Sequence, residues 1–426
     1  MNIGVMLLLI MIVLVLLGMP IAFAIGFASM CCIFNGGYLI TVMPQKMFSG
    51  LDSFVLLAIP YFILAGNIMA QGGITKKILD FAAAAFGWLK GSLAIITVVA
   101  SAIFAALTGS GVATVSGIGG ITIPAMKDDG YDSEFAAAVA SNAAILGPLI
   151  PPSIFMIVYG NSAEVDITAL FKGGLLPGLM LAFLLALYCN FYARRHNMKS
   201  SNEKFEVKKV LIQGKKSIWA LLMPVVLLGV IFGGVCTPTE AAAVACVYTA
   251  IVAIFIYKLI TPKQLFTIAM ESGLTVGVMM ILMGTSKLSG WVLTIAKVPS
   301  TIANAILTVS DNPVVIMLLI NLFLLVVGMF MEANAAIVIL TPILLPVATY
   351  CGISPIQFGT IMCVNLCMGL ITPPVGGCLT IANEIAKGRL ERTFIYSLPM
   401  LVIELFVLFL VNAVPALSTW LPGLAA

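Results

Sequence analysis

Thr108-Gly109-Ser110-Gly111-Val112-Ala113-Thr114, followed by Gly147-Pro148-Leu149-Ile150-Pro151-Pro152, is the stretch whose reading decides the fold. Its surroundings are apolar enough to be read as plain membrane helix. Glycine and proline interrupt helices, and in hydrocarbon an interruption leaves backbone N–H and C=O groups without partners. Such a break is tolerated where it is buried in protein or lines a cavity. Transporters hold substrate and ions at breaks of this kind.

The pattern returns 222 residues later. Pro124, Gly130, Gly147, Pro151, Pro152 and Asn161 meet Pro346, Gly352, Gly369, Pro373, Pro374 and Asn383, while Ala113 and Ile121 meet Ala335 and Ile343. Five of these eight identities are glycine or proline at structure-breaking positions. Upstream, Met47, Ser49, Gly50 and Leu51 meet Met270, Ser272, Gly273 and Leu274 at a shift of 223, so one inserted residue reconciles the registers. The sequence therefore predicts an all-α polytopic membrane protein with an internal repeat, expected to be inverted. Re-entrant helical hairpins are expected at about residues 108–160 and 328–383, within repeats at 1–193 and 218–426. The competing reading is a duplicated bundle whose Gly and Pro only bend helices for packing.

Composition supports the membrane assignment. The chain has 426 residues, 62% hydrophobic and 9% charged, with a mean hydropathy of +1.17; a soluble domain carries about 25% charged residues. At roughly 20 residues per span, there is room for about a dozen segments. Residues 194–217 carry Arg194, Arg195, Lys199, Lys204, Lys208, Lys209, Lys215 and Lys216 against Glu203 and Glu206, a net +6 where the whole chain has +4. With Phe205 its one Phe, Tyr or Trp and apolar segments on both sides, this loop makes a poor nucleic-acid surface, and the positive-inside rule makes it cytoplasmic. The apolar run from Ile3 to Phe34 is too long for a secretory leader and reads as a retained first span, broken near Gly18-Met19-Pro20.

No catalytic constellation occurs. The nine cysteines lack paired zinc or redox spacing and suit apolar packing; the one histidine, His196, lies in the basic loop. There is no Walker loop, GxSxG or HExxH, so an ion gradient rather than ATP is the expected energy source.

Two hairpins entering from opposite faces would bring their tips together near the midplane. Half-helix N-termini offer N–H groups to an anion, and unwound carbonyls and hydroxyls offer oxygens to Na⁺. Candidates in the first copy are Thr108, Gly109, Ser110, Gly111, Thr114 and Asn142, with the loop from Gly147 through Pro151 to Pro152. In the second they are Gly328, Glu332, Asn334, Asn365, Gly369, Thr372, Pro373 and Pro374. Each Ser, Thr or Asn has the alternative of bonding its own helix. Charged residues inside apolar segments are functional hypotheses by default. Lys287 could meet a substrate carboxylate or snorkel to an interface; Glu332, at the position of Ser110 in the other copy, could serve a cation or cap a half-helix. Glu240, after Thr237-Pro238, reads as a helix-start residue, and Glu404 could face a partner helix or subunit.

Thr-Gly-Ser-Gly-Val-Ala-Thr at 108–114, Ile-Pro-Pro-Ser at 150–153, Leu-Pro-Gly at 176–178, Thr-Pro-Thr-Glu-Ala-Ala-Ala at 237–243 and Thr-Pro-Pro-Val-Gly at 372–376 stand in order along the chain. Taken together they resemble the large membrane subunit of tripartite ATP-independent periplasmic (TRAP) transporters. The resemblance implies elevator-type, Na⁺-coupled import of an organic acid (a C4-dicarboxylate, sialic acid or similar carboxylate) across the bacterial inner membrane. It also implies a small four-helix membrane subunit, expected here as a separate chain, and a soluble periplasmic binding protein. Na⁺ would be held at Thr108, Gly109, Ser110, Gly328, Glu332, Gly369 and Thr372. No matching family motif fixes the substrate; the reading of the breaks and buried charges places it at Ser110, Thr114, Asn142, Pro151, Lys287, Asn334, Asn365 and Pro373. A stand-alone Na⁺/dicarboxylate symporter of related fold is the nearest alternative. A membrane enzyme or assembly protein and a gated channel are more distant ones.

Overall fold

The computed structural model describes residues 3–196, 198, 205–298, 301 and 312–424. Among these residues every regular element is helical. Eight helices are long and apolar enough to cross a membrane: Phe54–Gln71, Ile167–Arg195, Val207–Phe232, Pro238–Ile256, Pro262–Ile295, Pro313–Phe330, Ala333–Tyr350 and Leu390–Ala413. Large apolar side chains such as Phe183, Val225, Leu274 and Phe409 stand exposed on these helices, as lipid-facing positions require.

The expected first span is instead a helical hairpin. Ile3–Leu16 and Ile21–Asn35 are separate helices, and the Cys32 thiol reaches the Ile3 carbonyl oxygen at 3.5 Å, so the second helix runs back along the first. Gly18 at φ +87° and Pro20, which precedes the second helix as its N-cap, make the reversal. At 1.5 Å per residue neither helix reaches across a hydrocarbon layer of about 30 Å.

Thr237 and Glu240 form a capping box. The Glu240 backbone N–H donates to Thr237 Oγ1 at 3.3 Å, and the Thr237 N–H donates to Glu240 Oε2 at 2.8 Å. Glu240 is therefore held by a helix start.

The two interrupted segments run through the same order of elements. In the first, Gly111–Thr114, a π turn at Val115–Gly119 and Gly120–Asp128 make one helix. The chain turns at Gly130 (φ +88°), continues as Ser133–Ala144, breaks over 145–153 and resumes as Ile154–Ala163. In the second, Ala333–Tyr350 turns at Gly352 (φ +81°), continues as Pro355–Gly369, breaks over 370–376 and resumes as Gly377–Ala386. The Pro151–Pro152 and Pro373–Pro374 bonds are both cis. Asp132 and Ser354, 222 residues apart, each cap the second helix of their segment. The segments are interlocked: Ile154–Ala163 packs on Ala333–Tyr350, and Gly377–Ala386 packs on Ser133–Ala144.

Basic residues gather at one end of the bundle. Lys77 lies 5.5 Å over the Tyr257 ring and its carbonyl accepts from Ser217, while the Tyr257 hydroxyl donates to the Lys216 carbonyl. Trp88 packs edge-on against Phe205. Tyr131, Phe135 and Tyr192 stack nearby, and Lys127 donates to the Ala386 carbonyl at 2.8 Å, next to Lys387. Lys208, Lys209, Lys215 and Lys216 sit on the first turns of Val207–Phe232; Lys199, Glu203 and Lys204 lie outside the described residues.

Candidate functional site

Where the helix Ser92–Thr108 ends, Gly109 adopts φ +61° and redirects the chain. Its carbonyl accepts from the Ile154 N–H at 3.3 Å. A Cβ on Gly109 would fall 2.5 Å from the Pro152 carbonyl oxygen, and one on Gly147 would fall 2.6 Å from Ser110 backbone atoms. The two motifs of the first segment are thus packed against each other, through glycines that have no side chain to hold them apart. Ser153 ties the same loop by donating to the Pro148 carbonyl while capping Met156.

The second segment has its own close approach. A Cβ on Gly369 would fall 2.2 Å from the Gly328 carbonyl oxygen. Gly111 links the two segments: a Cβ there would meet the Ala144 carbonyl oxygen, the Cys378 sulfur and the Leu370 side chain, all within 3.4 Å.

A cavity of about 450 Å³ opens at this meeting point. Thr108, Gly109, Ser110, Gly111, Val112 and Ala113 line one part of it, and Glu332, Asn334 and Leu370 line another. Ser110 caps its helix, accepting from the Ala113 N–H at 3.4 Å. Glu332 does the same 222 residues on, accepting from the Ala335 N–H at 2.9 Å. The Ser110 cap satisfies one donor and leaves the first-turn N–H groups of Gly111 and Val112 without intrahelical partners; the Glu332 carboxylate also draws the Asn334 backbone N–H. Glu332 Oε1 also accepts from Asn334 Nδ2 at 2.6 Å. Asn334 Oδ1 is buried with no protein partner. A buried acceptor without a donor is costly, and the cavity that Asn334 lines also carries Glu332 and the 108–113 backbone, oxygen donors of the type a hard cation takes. The residues therefore fit Na⁺.

The remaining candidates fall into several places. Thr114 is buried behind the cavity wall; its hydroxyl donates to the Ser110 carbonyl at 2.7 Å and lies 3.5 Å from Thr108 Oγ1. Asn142 lies away from the cavity and donates to Ser397 and to the Ala138 carbonyl. Asn365 donates to Asn321, which in turn donates to Asn412, a polar chain between three helices. The Thr372 hydroxyl donates to the Met368 carbonyl at 2.7 Å. Pro151 and Pro373 belong to the two loops without reaching the cavity lining, and Gly328 and Gly369 pack on each other behind it. Lys287 lines a different cavity. Glu404 is wholly buried among this chain's own helices and makes no hydrogen bond.

Asn67, Gln71 and Thr275 also line the central cavity, and the motifs did not point to them. Asn67 donates to Ser272 at 2.9 Å and Gln71 to Glu271 at 2.8 Å. The available signal was two amides at i and i+4 on one face of an otherwise apolar helix, Ala58–Gln71.

Residues 8–417 match the family model described as tripartite ATP-independent periplasmic transporter, DctM component. The chain is 40% identical over 407 residues to the isethionate TRAP transporter permease protein DctMQ of Oleidesulfovibrio alaskensis; the match covers 95% of this chain and 64% of that protein. It is 40% identical over 378 residues to the C4-dicarboxylate TRAP transporter large permease protein DctM of Pseudomonas aeruginosa, covering 89% of this chain and 88% of that one. Among solved structures it resembles the Alcanivorax borkumensis YdaH transporter, with a TM-score of 0.63 at 15% identity over 88% of this chain and 87% of that one. That last likeness is one of fold.

Proposed function

The chain belongs to the DctM family of tripartite ATP-independent periplasmic transporters, a transporter component and not an enzyme, and on that premise we propose that it is the large permease subunit of a Na⁺-coupled importer of a small organic acid. Its partners would be a small four-helix membrane subunit and a soluble periplasmic binding protein, in the bacterial inner membrane. The observation that carries the reading is the convergence of Thr108–Ala113 with Glu332 and Asn334 in one cavity.

The residues suggest how coupling would arise. Free N–H groups at the starts of the half-helices attract a carboxylate, but Glu332 repels it. At about 6 Å and an effective dielectric constant of about 20, two like charges cost about 3 kcal/mol. Na⁺ held by Glu332, Asn334 Oδ1, the Ser110 hydroxyl and the carbonyls around Gly109 and Ser110 would cancel that repulsion. Each ligand would then raise the affinity for the other, and by linkage the effect is reciprocal.

We read the two segments as inverted re-entrant hairpins, and the unit built from both as the mobile part of an elevator sliding against the remaining helices. The matching element order and caps support this. The basic end of the bundle is assigned to the cytoplasm by the positive-inside rule. Gln71, which precedes Gly72 beside Ile260 at that end, lines the cavity, so the conformation is read as open inward.

Uptake into proteoliposomes tests the proposal, using the full chain with its small subunit and binding protein and succinate and isethionate as probes. Accumulation is expected under an inward Na⁺ gradient and not under K⁺. Uptake indifferent both to Na⁺ and to the binding protein would overturn it.

A further inference from the structure

We propose that the cavity between Lys46, Ser286 and Lys287 is a second anion site, on the far side of the molecule from the basic end, and that it takes the carboxylate or sulfonate group of a small organic acid before the central cavity does. The order of events rests on the function proposed above; the anion site itself does not.

The cavity has a volume of about 240 Å³, room for about eight waters or one small acid. Lys46 and Lys287 contribute two positive charges and no acidic residue lines it. Among the described residues an ion pair forms only between Lys209 and Glu206, so both ammonium groups are uncompensated. Lys46 is held at the rim, its Nζ 5.8 Å from the centre of the Trp291 ring. The Lys287 stem lies across Gly50, where a Cβ would fall 2.6 Å from Lys287 Cβ. Only a residue without a side chain allows that course.

Ser286 is the independent sign of a ligand. It lines the cavity, is 0% exposed, and its hydroxyl has no partner. On the helix Pro262–Ile295, Ser272, Thr285 and Thr294 donate to the carbonyls of Ile268, Ile281 and Gly290, while Ser289, buried outside this cavity, is without a partner like Ser286. That local bond is the ordinary course for serine and threonine in helices; of the two buried serines that forgo it here, Ser286 is the one in the wall of a cavity, where a ligand could supply the missing partner. Asn161 adds donors: its Oδ1 accepts from Ser53 at 2.8 Å, which leaves its N–H₂ group for the cavity it also lines.

This site is separate from the central one. No residue lines both cavities; along the helix Pro262–Ile295 their nearest wall residues, Met279 and Met283, are one turn apart, while Thr275 and Lys287 are twelve residues apart, a rise of about 18 Å. One small acid cannot touch both. Val338 and Pro342, on the helix that Glu332 caps, also line the Lys287 cavity. It therefore lies between the proposed mobile unit and the helix Pro262–Ile295, where an elevator movement would open or close it.

The test is protection of lysines from acylation, read by mass spectrometry on the full-length chain in phosphatidylcholine nanodiscs without Na⁺. Succinate or isethionate is expected to slow acylation of Lys46 and Lys287 several-fold and leave Lys258 and Lys263 unchanged. Ser286→Ala should weaken the protection of Lys287. The pair Ser110→Ala and Glu332→Gln should leave it intact while reducing uptake, so failure of the coupled-import reading and failure of this site are told apart. Unaltered acylation of both lysines with either probe would overturn the proposal, as would protection conferred only by phosphatidylglycerol in the nanodisc.

Discussion

At Gly109 the backbone passes through φ +61°, and a Cβ there would sit 2.5 Å from the Pro152 carbonyl oxygen. Left-handed geometry alone costs an L-residue about 1–2 kcal/mol, and the backbone oxygen it would strike has no free end to swing away. Gly109→Ala is therefore expected to lower the thermal midpoint of the purified protein and to reduce uptake more than tenfold, an estimate set by about 1.4 kcal/mol per factor of ten. Uptake at wild-type rate would show that the close approach of 109 to 152 is dispensable. Glu332→Gln separates charge from capping at the other break. The amide oxygen can still accept from the Ala335 N–H, so abundance and melting should change little. The Na⁺ concentration for half-maximal uptake should rise severalfold, and an unchanged Na⁺ response would remove Glu332 from the cation site.

At the scale of elements, the amide chain Asn365–Asn321–Asn412 joins Pro313–Phe330, Pro355–Gly369 and Leu390–Ala413. Interhelical hydrogen bonds in membranes are worth about 0.6 kcal/mol on average and up to about 2. Asn321→Leu should lower the melting temperature by a few degrees and leave the apparent affinity for succinate unchanged; a changed affinity would return Asn365 to the binding residues. The same elements show what a sequence reveals. The breaks at Gly147–Pro152 and Gly369–Pro374 were legible because glycine and proline act on the backbone where they stand, whatever surrounds them. Glu240 was legible for the same reason, since a cap is made within four residues. Asn67, Gln71 and Thr275 were not, because their part depends on which helix face meets a cavity, and tertiary packing decides that. Asn142 and Asn365 illustrate the converse: polar residues beside a break that the packing turns toward other helices. The hairpin of Ile3–Leu16 and Ile21–Asn35 escaped because hydropathy does not distinguish one long kinked helix from two short ones; the turn at Gly18 does.

At the scale of the molecule, two interrupted segments far apart in sequence interlock so that Gly111 touches Cys378 and Leu370 and Ser110 and Glu332 border one cavity. In the proposed function this cavity is a single Na⁺ site built from both segments, rather than two separate ones. A double-mutant cycle on Na⁺-dependent thermal stabilisation tests it most directly, using wild type, Ser110→Ala, Glu332→Gln and the double variant, with choline as the reference cation. A ligand at 100 times its Kd stabilises by about 2.7 kcal/mol, well within reach of a melting measurement. One shared site predicts that either single substitution removes most of the Na⁺-dependent rise and that the second adds almost nothing. Independent, additive losses from the two substitutions would contradict it.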